Sequence, residues 1–170
     1  MNSARASIDD HTVFRNHLRG IRRDFGDATT ANGPKRCGGV TYYSYWHSFV
    51  GNVLGASGQM TGWVYESGSM DIPSIWKLGW DDWNPYPIDP QALVTTLRHG
   101  NFDYVTNLVV WDATILNHTL PPSLYLAQKP AFFNAGSGYA WPWVDPTGSP
   151  KLQTLPAKAR YDAGTPFVQP

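Results

Sequence analysis

Apolar and polar positions along this chain alternate in short runs rather than in helical stripes. The clearest run is Val13-Phe14-Arg15-Asn16-His17-Leu18: two apolar residues, a small gap, an Asn, then an alternating apolar position. The pattern returns in Phe49-Val50-Gly51-Asn52-Val53-Leu54 and again in Tyr104-Val105-Thr106-Asn107-Leu108-Val109. His11 and His47 each stand five residues before their Asn. Period-two runs on either side of a polar residue predict strand, sharp bend, strand. Asn suits the bend because its short amide tolerates the left-handed backbone region better than other side chains.

Self-similarity of this kind predicts a repeat architecture. Stacked copies would place Asn16, Asn52 and Asn107 above one another at a strand spacing of about 4.8 Å, where their amides bond in a ladder. The copies lie 36 and 55 positions apart. One coil takes roughly 20 to 30 residues, so loops are expected between coils. By composition, Asp24 to Gly39 and Gly68 to Pro90 are those loops. On pattern alone, a β-sandwich whose strands share an apolar-Asn-apolar look stays open as the alternative.

One segment reads as a helix, Asp89 to Gly100. Asp89 suits the N-cap, Pro90 the first helical position and Gly100 the residue past the end. Leu93, Val94 and Leu97 would form its apolar face, with Arg98 and His99 complementing the dipole in the last turn. Beyond Asp112, prolines at 121, 122, 130, 142, 146, 150, 156, 166 and 170 argue against continued strand pairing. The chain therefore divides into coils over 1–112 and an extended tail over 113–170 that wraps and caps them.

Composition supports an all-β reading. Sixteen glycines and fourteen prolines favour short strands and shaped turns, and Glu66 is the only glutamate. At 170 residues the chain is one domain. Thirteen basic and thirteen acidic side chains balance, which argues against a nucleic-acid partner held by net charge. Cys37 is the single cysteine, so no intrachain disulfide forms. Residues 1–10 lack an apolar signal core, and no run approaches the roughly 20 apolar residues of a membrane span. If the protein acts outside the cell, its export signal is expected on a longer precursor.

Three stretches, His11–Gly20 (HTVFRNHLRG), Trp46–Gly55 (WHSFVGNVLG) and Arg98–Asp112 (RHGNFDYVTNLVVWD), resemble the C-terminal coils of bacterial right-handed parallel β-helix repeat proteins of the pectate-lyase-like fold. Asn117–Phe133 (NHTLPPSLYLAQKPAFF), Trp141–Thr147 (WPWVDPT) and Leu155–Phe167 (LPAKARYDAGTPF) look like the closing segment of such proteins. The likeness covers most of the chain and implies a single-stranded right-handed parallel β-helix solenoid of few coils, with one short helix and a proline-rich wrapping tail. It also implies a secreted protein that binds or cleaves an extracellular polysaccharide. No catalytic motif of the family maps onto residues here.

Candidate chemistry falls into three groups. Arg15, Arg19, Arg22, Arg23, Lys35 and Arg36 form a basic cluster with Asp9, Asp10, Asp24 and Asp27 close in sequence. A polysaccharide lyase needs a base beside a uronate carboxylate and a cation to neutralise it, roles that Arg19 or Arg22 and a carboxylate-bound Ca²⁺ would fill. The plain alternative is a solvated loop of mixed charge. Asp81 and Asp82, between Trp80 and Trp83, are candidates for an acid and base pair of a glycoside hydrolase or lyase. Trp76, Trp80, Trp83 and Tyr86 are candidate sugar platforms, because flat aromatics offer apolar faces to sugar rings; the alternative is a Trp-rich hydrophobic plug. Trp141-Pro142-Trp143 reads first as a staple holding the tail and second as another platform.

His11 and His47 are expected to stack across coils, and no metal site is expected from two His without supporting ligands. Asn117-His118-Thr119 is a glycosylation sequon. The functional expectation is a carbohydrate-active protein. The other is a non-catalytic assembly module whose uncapped first coil associates with another copy or with upstream coils.

Overall fold

The computed structural model describes residues 10–21, 35–69, 71–80, 88–131 and 139–164. Its strands are β1 (Thr12–Phe14), β2 (His17–Leu18), β3 (Arg36–Thr41), β4 (Ser48–Val50), β5 (Val53–Leu54), β6 (Val64–Glu66), β7 (Ser74–Trp80), β8 (Leu97–His99), β9 (Asn101–Asp103) and β10 (Val109–Val110). Two helices, α1 (Pro90–Thr95) and α2 (Pro156–Asp162), complete the described elements.

The strands form three short sheets, in the orders β1-β4-β8, β10-β9-β5-β2 and β3-β7-β6. All pairs are parallel except β9 with β10. Among the described residues no sheet closes on itself or continues as a solenoid, so the single-stranded parallel β-helix expected from sequence is not the architecture. The departure has a local origin. β6 and β7 both come from the stretch between β5 and β8 and pair with each other, so the third sheet does not take one strand from each repeat. The second sheet ends in a strand that turns back on itself.

A left-handed residue makes each bend between the first two sheets, but that residue is not the Asn. Arg15, Gly51 and Gly100 have φ of 50°, 67° and 66°, and Asn16, Asn52 and Asn101 follow them. The Asn amides hold the bends together instead. Asn16 N–H donates to Asn52 Oδ1 at 2.9 Å, and Asn52 N–H to Asn101 Oδ1 at 3.0 Å. Asn52 Nδ2 donates to Val13 O and to Asn101 Oδ1, both at 2.9 Å, and Asn101 Nδ2 to Phe49 O at 2.7 Å. Asn52 and Asn101 are buried, so these bonds satisfy groups that water cannot reach.

The third ladder member is therefore Asn101 and not Asn107. Val53 pairs with Phe102, which puts Asn52 beside Asn101. Asn107, at φ 58°, sits in the turn from β9 to β10. Asp103 dictates that turn: its carboxylate accepts Val105 N–H (2.9 Å), Thr106 N–H (2.7 Å) and the Thr106 hydroxyl (2.6 Å).

β7 is buried along its whole length and lies between β3 and β6, with α1 packed against it. Its sequence, SIWKLGW, is nearly continuous in apolar residues, as expected for a strand covered on both faces. The stretch Gly68 to Pro90, read from composition as a loop, thus contains the longest fully buried strand among the described residues. β3 likewise begins inside the other expected loop. The core gathers Val40, Phe49, Leu54, Ile75, Trp76, Leu78 and Ala92. Gly38 faces Trp76 across the β3–β7 pair, and a Cβ there would lie 2.3 Å from Trp76 Cζ3.

Lys77 lies fully buried in this strand, its Nζ donating to Ile72 O at 2.5 Å and to Ser69 O. Burial, reinforced by Arg36 and Lys35, pushes its pKa down to about 8.

α1 begins as the sequence predicts, with Asp89 Oδ1 accepting Gln91 N–H at 2.9 Å and Pro90 in the first turn. It stops at Thr95. The Thr95 and Thr96 hydroxyls take the carbonyls of Gln91 (2.7 Å) and Ala92 (2.6 Å), and Leu97–His99 gain strand pairing with β4 instead. Ala92 is the buried contact of α1, whereas Val94 is exposed.

The tail carries α2 and one isolated bridge, Val144 with Leu152. It is pinned to the sheets at His99, whose Nε2 meets Asn117 O at 3.0 Å, and at Phe102, whose ring lies 4.2 Å from Lys151 Nζ.

Candidate functional site

A cleft of about 390 Å³ opens where the β1–β2 bend meets two stretches of the tail. Thr12, Phe14, Arg15 and Asn16 form its floor; residues 122–125 form one wall and 141–144 the other. Its aromatic lining is Phe14, Tyr125, Trp141 and Trp143. Tyr125 is 93% exposed, presented by a turn in which the Ser123 hydroxyl accepts the N–H groups of Tyr125 and Leu126, each at 3.1 Å. Trp141 and Trp143 are half-buried.

Arg15 ties the walls to the floor. Its Nε donates to Pro121 O at 2.8 Å, Nη2 to Leu120 O at 3.2 Å and Nη1 to Val144 O at 2.6 Å, with Asp145 Oδ1 3.8 Å away. Burial lowers the guanidinium pKa from its ordinary value, and Asp145 offsets part of that. Burial alone would raise the Asp145 carboxyl; hydrogen bonds from Thr147 and Gly148 and the charge of Arg15 outweigh it and hold the group below the usual carboxylate range.

Chemically, the cleft offers flat apolar faces, the Asn16 amide and the hydroxyls of Thr12 and Ser123. Among the described residues, its one charged lining residue has three N–H donors on backbone carbonyls, and no carboxylate or imidazole lines it. Such a surface can hold an uncharged ring-bearing ligand. The described lining supplies no acid and base pair for glycosidic cleavage.

The residues singled out from sequence fall elsewhere. Trp76 and Trp80 are 1% and 4% exposed. Trp76 lies edge-on to Phe49 at 5.1 Å and Trp80 under the Arg36 guanidinium at 4.2 Å, so neither offers a face to a sugar. These two belong to the hydrophobic plug. Arg19 donates to Gln59 Oε1 at 3.0 Å and does not line the cleft. Asp81, Asp82, Trp83, Tyr86 and Arg22 lie outside the described residues. His11 and His47 stack at 5.7 Å with planes 7° apart. Asn117 of the sequon is exposed, with its Oδ1 accepting Thr119 N–H at 2.9 Å.

Sequence reasoning missed Phe14 and Tyr125. The Ser-Leu-Tyr turn after the Pro121-Pro122 pair was the available signal for Tyr125; nothing local marks Phe14. Among the described residues, no group of three or more His, Cys, Asp and Glu is placed to hold a metal ion, and no helix is long and apolar enough to cross a membrane. Compared with protein-family models, with curated proteins and with solved structures, the chain matches none.

Proposed function

We propose that this protein binds a neutral glycan in the cleft between the β1–β2 bend and the tail, without cleaving it. The observation that carries this reading is an aromatic lining of Phe14, Tyr125, Trp141 and Trp143 with no carboxylate among the described residues. Aromatic faces match the C–H faces of sugar rings, while the Asn16 amide and nearby hydroxyls suit ring hydroxyls. The volume lies at the small end of the roughly 300–1,000 Å³ range for ligand pockets, room for a short segment of chain. A few such contacts in an open cleft support an affinity of about 0.1–1 mM. A polysaccharide ligand puts the site of action outside the cell or at its surface.

Affinity electrophoresis and calorimetry against neutral and acidic polysaccharides test the reading. Retention by a neutral glycan, with no new reducing ends and no absorbance of unsaturated products, is expected. Binding confined to polyuronates, or turnover of any substrate in the panel, would overturn it.

A second reading, self-association, is favoured by one observation. β1, β2 and β3 each occupy an outer position in their sheet, so among the described residues no strand pairs with their outward backbone groups. Light scattering over a concentration series distinguishes it; a mass that stays at one chain sinks it.

A further inference from the structure

Three bends share one backbone conformation, yet only one of them carries a side chain there. Gly51 and Gly100 occupy the left-handed region without steric cost, whereas Arg15 holds it at φ 50° against the preference of an L residue. Two glycine bends leave room for the tail. A Cβ on Gly51 would lie 3.3 Å from Leu120 Cδ1, and one on Gly100 would lie 2.9 Å from Leu120 Cδ2 and 2.6 Å from Trp111 Cζ3. Leu120 therefore rests over the glycine bends, and its carbonyl and that of Pro121 reach the guanidinium of Arg15 at the third.

We propose that Arg15 is the positioning residue of the cleft, a latch that fixes the spacing of its two walls. The proposal rests on the reading that this cleft takes a neutral glycan. One planar guanidinium holds Leu120 and Pro121 at the root of the first wall and Val144 in the second. Its fork sets their separation in a way a point-charge ammonium does not. Arg15 acts through the aromatic walls and not on the ligand, because its side chain is only 9% exposed and three of its five N–H donors are held by backbone carbonyls. Strain held at one bend, where two equivalent bends avoid it, fits a side chain needed there for its contacts.

Arg15→Gly and Arg15→Lys, compared with the unaltered protein, test the proposal. Arg15→Gly gives the bend the residue its two counterparts have, so the denaturation midpoint of the sheets is expected to hold or rise. Hydrogen exchange at the amides of 123–126 and 143–145 is expected to quicken, and affinity for the neutral glycan to fall at least tenfold. Arg15→Lys, charged but unable to span three carbonyls, is expected to lie between. Unchanged exchange and affinity in Arg15→Gly would overturn the latch, as would an affinity loss seen only together with a fallen midpoint. Should the unaltered protein retain no glycan, the ligand reading fails, and exchange in the two walls alone decides whether Arg15 latches them.

Discussion

Trp76 and Trp80 stand on β7, where every residue is buried, while Trp141 and Trp143 stand on a tail stretch held mainly by a guanidinium and one bridge. The first pair packs against Phe49 and beneath Arg36; the second shares a cleft with an almost fully exposed Tyr125. The same residue type serves the core in one region and a surface in the other. What separates them is the neighbouring chain. β7 is flanked by β3 and β6 and covered by α1, so its rings have nowhere to face but inward. Among the described residues, 141–143 is paired only at its end, where the Trp143 carbonyl accepts Gln153 N–H at 2.7 Å beside the Val144–Leu152 bridge, and both Trp residues stay half-buried.

The largest effect that would sharpen the contrast is on stability. Trp76→Ala should cost about 3–5 kcal/mol, read from urea denaturation, because it empties a packed site. Trp141→Ala should cost under about 1 kcal/mol and lose most glycan retention. Equal destabilisation by the two would break the comparison.

Next come the Asn amides. Asn52→Ala strands Asn16 N–H and Val13 O and should cost about 2–3 kcal/mol by the same measurement. Asn107→Gly, at a left-handed turn position outside the ladder, should change stability by less than about 0.5 kcal/mol.

A smaller contrast lies in pH dependence. Burial lowers the pKa of His17 below its ordinary 6.5, and the chain therefore binds more protons unfolded than folded in that window. Stability should fall as pH drops through 6.5 toward the folded-state value. Lys77 works the same way between 10.5 and about 8: stability falls as pH descends through that interval, and the penalty is complete below it. Lys77→Met should flatten the alkaline part of the curve of denaturation midpoint against pH. Glycan affinity, with no carboxylate or imidazole in the lining, should stay level from about pH 5 to 8. A glycan affinity that tracks the stability curve would show that the two regions are not separate.

The smallest effect concerns Cys37. Burial pushes its thiol up to about 12, and iodoacetamide at about pH 8 should label the folded chain more slowly than the urea-unfolded chain.

Much of the local pattern was legible. Asn16 and Asn52 sit in one ladder, the paired His stack, Asp89 caps a helix that Pro90 opens, and the described part of the tail forms almost no strand. Long-range pairing was not legible. Asn101 escaped notice because Leu97-Arg98-His99-Gly100 lacks the paired apolar residues of the first two copies, while Tyr104–Val109 imitates them and folds as a turn under Asp103. The order β3-β7-β6 depends on contacts between distant segments, which no short window contains. The end of α1 was misplaced because two threonine hydroxyls compete for its carbonyls, an effect that periodicity ignores. Aromatic content did not say which rings would be buried, as Trp76 and Trp80 are, and which would stay exposed, as Tyr125 does.

β10 turns back along the outer side of β9 in the reverse direction. An incoming strand from another molecule finds the hydrogen-bonding groups of β9 already engaged on that flank, and a stub of only two residues beyond it. Polymerisation through the second sheet is thereby denied one of the two growing ends a fibre needs. Recruitment at the opposite flank, along β2, closes after a single partner, giving a pair and not a filament.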